Sequence, residues 1–137
     1  MARALTRAQR QLVEEARART VWQAERRETL ESLLLLTDTL ARAIERFLSE
    51  PSESVASALF GENVELEEIA GMSAMLHKDV VAAWSRATSP DDEVLASVRL
   101  STEAIALGAR TRVVRRSWLT YLDNAKAALQ ELLRLPG

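Results

Sequence analysis

His77 is the only histidine and cysteine is absent, so the side chains that most often do chemistry near neutral pH reduce to one imidazole. Without thiols there is no disulfide framework, no thiolate zinc site and no cysteine nucleophile. One histidine cannot build a multi-histidine metal site. The remaining candidates are carboxylates: Glu65, Glu67 and Glu68, and Asp91, Asp92 and Glu93. Both clusters follow helix-start signals, where acids balance the positive end of the helix dipole. We therefore read them as helix starts rather than as acid–base pairs or metal ligands. No Glu-x-x-His pair, which a di-iron carboxylate bundle requires, occurs, nor does a glycine-rich phosphate loop. The chain reads as a protein without catalytic activity, metal or cofactor.

The stretch Leu76-His77-Lys78-Asp79-Val80-Val81-Ala82 resembles, over seven residues, the phospho-accepting helix of one class of sensor histidine kinases. That resemblance implies phosphotransfer at His77. Lys78 stands where an acid directly follows the histidine, and Asp79 is displaced by one position. The competing reading is a boundary histidine at the edge of an apolar seam.

Arginine supplies a third kind of chemistry, the gripping of phosphates. The stretch GARTRVVRRSWLTYLDN holds Arg110, Arg112, Arg115 and Arg116 just ahead of Trp118 and Tyr121. On a helix at about 100° per residue, Arg112, Arg115 and Arg116 fall opposite the aromatic side chains. A stacking platform needs cations and aromatics on one accessible surface, so nucleic-acid contact through these three arginines is the second reading. Arg3, Arg7, Arg10 and Arg17 make another basic face, interrupted by Glu14. A net charge of −2 supplies no general field for polyanions. Charge is instead segregated: residues 1–28 hold seven Arg against four Glu, and residues 45–79 hold eight acids against two bases.

The elements that must position these residues are helices. Only four Gly and three Pro punctuate 137 residues, and no stretch alternates as a strand does. The expected order is a long helix over about 6–49, a short one over 53–60, a middle helix over 64–87 capped by Asn63, and a last helix over 90–134. Ser89-Pro90-Asp91-Asp92-Glu93 is the strongest start signal, with proline at the first helical position and acids behind it. Leu30, Leu33, Thr37, Leu40, Ile44 and Phe47 step by three and four, as do Ile69, Ser73, Leu76, Val80, Ala83 and Ala87. In the last segment Leu100, Ala104, Leu107, Thr111, Val114, Trp118, Tyr121, Ala125, Ala128 and Leu132 keep the same rhythm, which reads as coiled-coil-like packing. The fold class is all-α: an elongated helical bundle forming a single domain, with an Arg-rich arm (1–28), core helices (30–108) and an apolar-striped C-terminal helix (109–135).

A middle helix of about 36 Å covers only half of a neighbour of about 67 Å. Two pieces are left over, the arm and the stripe after Gly108. The last helix either breaks near Gly108 and folds back to complete a four-helix bundle, or stays straight and pairs with another subunit; the second is favoured here. The expected protein-interface residues are Trp22, Val114, Trp118, Tyr121, Leu122, Leu129 and Leu132. The expected partners are a second copy and another protein, with nucleic acid as the alternative and no membrane. The fully apolar runs are short, Leu33–Leu36 and Val80–Trp84 among them, and no secretory leader is visible, so a cytoplasmic setting is expected; sixteen Arg against two Lys suits a GC-rich bacterial coding bias.

Overall fold

The stepped apolar positions of the first and middle segments form the buried faces of two helices. In the computed structural model, which describes residues 4–49, 64–111 and 113–135, α1 spans Arg7–Ser49, α2 Val64–Arg86, α3 Ser89–Arg110 and α4 Ser117–Arg134. The expected short helix at 53–60, the Asn63 cap, Arg3 and Arg112 lie outside the described residues. Along α1 the buried residues are Trp22, Arg26, Leu30, Leu33, Thr37, Leu40, Ala41, Ile44 and Phe47. Along α2 and just past it they are Leu66, Ile69, Ser73, Leu76, Val80, Ala83 and Ala87. Two hydroxyls sit in these seams without cost, because each donates back to its own helix: Thr37 Oγ1 to the Leu33 carbonyl and Ser73 Oγ to that of Ile69, both at 2.6 Å.

The expected helix over 90–134 is two helices. α3 ends at Arg110, and Thr111 closes it twice on the Gly108 carbonyl, through its backbone N–H at 3.0 Å and its hydroxyl at 2.7 Å. Between α3 and α4 the chain reverses, and α4 buries Trp118, Leu122, Ala125, Leu129 and Leu132. Each large side chain so buried gains about 1.5–3 kcal/mol. A break forgoes a few backbone hydrogen bonds worth about 1 kcal/mol net each, so folding back wins. The break also resets the helical phase. In α3 the buried positions are Asp91, Leu95, Val98, Thr102, Ile105 and Ala109, while Leu100 and Leu107, expected on the seam, are exposed. The long continuous seam of the sequence reading is therefore divided between two antiparallel helices.

Each helix packs on two others: α1 on α2 and α4, and α3 on α2 and α4. Trp22 and Arg26 of α1 meet Asp91 at the start of α3 and Leu132 at the end of α4. The direction of the chain thus alternates up, down, up, down around one hydrophobic core. Gly108 has a specific place in it. The Trp118 indole lies against its Cα, and a Cβ there would overlap the ring. The glycine admits the indole; it does not break the helix, which continues two residues further.

Candidate functional site

One end of the bundle carries the most developed polar arrangement among the described residues. Arg26 and Asp91 are 7% and 4% exposed. They form a two-pronged ion pair, Nε to Oδ2 at 2.6 Å and Nη2 to Oδ1 at 3.1 Å. Such fork-to-fork geometry is the strongest form of charge-assisted hydrogen bond. Arg26 Nη2 also donates to the Leu132 carbonyl at 2.6 Å, which accepts the Leu135 N–H at 3.2 Å as well. Trp22 Nε1 donates to Asp91 Oδ2 at 3.3 Å. The Arg86 guanidinium, from the last turn of α2, sits 5.7 Å from the centre of the Trp22 ring. One cluster thereby joins α1 to the last turn of α2, the first turn of α3 and the last turn of α4. Its groups are spent on one another, so the cluster is a clamp rather than a reaction centre.

By sequence Asp91 reads as a helix start and Arg26 as one arginine of a basic arm. The signal was present in the spacing. Asp91 leads the series 91, 95, 98, 102, 105, 109, and Arg26 interrupts the series 22, 26, 30, 33, 37. Opposite charges at two seam positions are expected to find each other, because neither can be buried alone.

His77 is half-buried on α2, and its Nδ1 lies 3.2 Å from Thr102 Oγ1 on α3. The single hydroxyl proton of Thr102 goes to the Arg99 carbonyl at 3.1 Å. With that proton so placed, the Thr102 oxygen can accept from a protonated Nδ1. Asp79 does not stand beside it. That carboxylate lines the groove on the other side of α2, with Glu25 and Glu28 of α1. The seven-residue segment thus places its histidine and its acid on opposite flanks of one helix. Next to His77, the Arg99 guanidinium covers the Trp84 ring at 4.7 Å.

The residues expected at a protein interface are mostly interior. Trp22, Trp118, Leu122, Leu129 and Leu132 are all buried in the core of their own chain, and they have no surface to offer a partner. A straight last helix would turn them outward; its reversal supplies their partners from within. Val114 is half-buried and Tyr121 is 40% exposed, so of the seven only Tyr121 presents substantial surface. Of the three arginines considered for nucleic acid, Arg115 and Arg116 are exposed at the turn between α3 and α4. That turn is at the end of the bundle opposite the clamp, the same end as Glu65, Glu67 and Glu68 at the start of α2.

A second charged contact ties α1 to α4. Lys126 Nζ lies 2.7 Å from Asp38 Oδ1, and Arg42 Nε lies 3.1 Å from Oδ2. The hydrogen bond from Lys126 holds the Asp38 carboxyl below its ordinary range against the opposing effect of partial burial, with the Arg42 and Lys126 charges adding to it. Among the described residues no group of His, Asp or Glu is placed to hold a metal ion, and no helix is long and apolar enough to cross a membrane. The chain matches no protein-family model, no curated protein and no solved structure.

Proposed function

We propose that this chain is a non-catalytic protein–protein interaction module, a homo-oligomeric scaffold, adaptor or inhibitor subunit, cytoplasmic in setting. One observation carries the reading. The clamp marks the end of the bundle, yet α1 begins fifteen residues before Trp22, about 22 Å further out at 1.5 Å per residue. Every described side chain from Ala4 to Val21 is exposed except the half-buried Ala18. Leu5, Leu12, Val13 and Val21 are 49%, 65%, 40% and 47% exposed. An isolated helix of this length is marginal in water, and its apolar side chains gain only when something covers them.

Light scattering after size exclusion tests the reading on the full chain and on a form lacking residues 1–18. The expected result is a species heavier than the 15.2 kDa of one chain, or a stable complex with another protein that the shortened form cannot make. A 15.2 kDa species at all concentrations and salts, with an arm dispensable for every interaction, would sink it.

A further inference from the structure

The face of α3 turned away from the core is uncharged over four turns. Ser97, Leu100, Ala104, Leu107 and Thr111 follow one another along it, all exposed, Leu100 by 61% and Leu107 by 53%. These positions lie about 180° around the helix from Val98, Thr102 and Ile105, which are buried. α4 widens the same surface. Its α1 side is marked by Lys126, which reaches Asp38; Tyr121 and Ala128 fall on the other side, toward α3. Tyr121 is 40% exposed and Ala128 half-buried. The charge at the two ends of the stripe is opposite in sign. Glu93 closes it at the clamp end, and Arg110, Arg115 and Arg116, all exposed, close it at the α3–α4 turn.

We infer that this face is where two copies of the chain meet, antiparallel across a two-fold axis beside Ala104. In that arrangement Leu100 of each copy lies against Leu107 of the other, so each large side chain is answered by a large one two turns away. The small Ala104 side chains sit at the axis and let the two α3 backbones approach closely. Ser97 of one copy faces Thr111 of the other. Glu93 of one copy reaches the arginine-bearing turn of the other, and symmetry makes that contact twice. A parallel pairing sets Glu93 against Glu93 and the arginine turns against each other, so the end charges select the antiparallel form. The inference rests on the reading of the chain as an oligomeric module and names the surface through which the copies associate.

The size of the surface sets the strength. From Ser97 to Thr111 is about 21 Å along the axis, and two helices side by side are about 18 Å across. About 400 Å² of each copy is covered, which belongs to the small, reversible class of interfaces. The exposed leucines form the centre of the contact and the charged pairs its rim.

Sedimentation velocity over about 1–500 μM tests this with five variants of the full chain. Leu100→Glu with Leu107→Glu should stay monomeric throughout, at unchanged helical content, since both side chains are exposed in the single chain. The form lacking residues 1–18 should dimerise as the full chain does. Glu93→Arg alone and Arg115→Glu alone should each weaken the dimer by about three- to tenfold, and the two together should recover most of that loss. A dimer that survives the double leucine change overturns the inference. If that dimer instead disappears when residues 1–18 are removed, the oligomeric reading stands and only the surface is wrong. A full chain that is monomeric at 500 μM overturns the inference and the homo-oligomeric reading together.

Discussion

α1 is one unbroken helix with two different lives. From Trp22 onward, one stripe of it is buried at almost every turn; from Arg7 to Val21 it has no buried residue at all. Both halves carry leucines and arginines. Leu30 is fully buried whereas Leu12 is 65% exposed, and Arg26 is locked into Asp91 whereas Arg17 is exposed. Local helix preference cannot account for the difference, since the backbone is the same. What differs is whether α2, α3 and α4 run alongside. Residue type sets what a position could contribute, and tertiary contact decides whether it does.

The comparison breaks most visibly at the arginines. Arg26→Ala leaves Asp91 buried without its partner, and unfolding in urea should show a loss of about 3–5 kcal/mol; Arg17→Ala should change the same curve by less than about 0.5 kcal/mol. Equal losses at the two sites would show that the arm is part of the folded core. The leucines should divide in the same way. Leu30→Ala should cost about 2–5 kcal/mol, and Leu12→Ala again less than about 0.5 kcal/mol. Gly108→Ala sharpens the comparison in α3, where one methyl group must displace the rigid Trp118 indole. A destabilisation of about 1–3 kcal/mol, with a shift in tryptophan emission, is the expected outcome; a neutral result would mean that the indole moves freely.

The pH dependence is smaller and confined to acid. Because the folded Asp38 carboxyl titrates below its ordinary value, its contribution is complete above that value, about 3.9, and is lost as pH falls through the lower folded one. Thermal melts should fall less steeply below about pH 4 in Asp38→Asn than in the wild type, and added salt should shrink the difference, as both Asp38 and Lys126 keep contact with water. Smallest in energy is the arm itself. Its backbone amides between Arg7 and Val21 should exchange with solvent orders of magnitude faster than those of 30–44, while deletion of residues 1–18 shifts unfolding by no more than about 0.5 kcal/mol.

Much of the architecture was legible because the seams of α1 and α2 keep the three-four rhythm that their burial follows. Every stepped position from Leu30 to Phe47, and from Ile69 to Ala87, is buried. Two features defeated the same reasoning in the last third of the chain. Leu100, Ala104 and Leu107 keep the rhythm as faithfully as Val98, Thr102 and Ile105, so periodicity alone offers two faces and cannot choose between them. The reversal between α3 and α4 then shifts the phase, although no proline or glycine stands between Gly108 and α4. One cause is local, the closing of α3 by Thr111 on the Gly108 carbonyl, and one is tertiary, the gain from burying Trp118 and Leu122 in the same chain. The clamp was missed for a different reason. Arg26 and Asp91 each have an ordinary local explanation, on a polar helix and at a helix start, and only their joint occurrence at seam positions gives them away.

The continuity of α1 through the clamp also makes a lever. Trp22 and Arg26 are the fulcrum, the residues before them the long handle, and the fulcrum is bonded to the first turn of α3 and the last turn of α4 and stacked under the last turn of α2. A force applied near Arg7 acts at about 22 Å from that pivot, so a sideways push there arrives at the clamp as torque. It is delivered to the ends of α2, α3 and α4 at once, and Trp22 is placed to report it as a change in fluorescence.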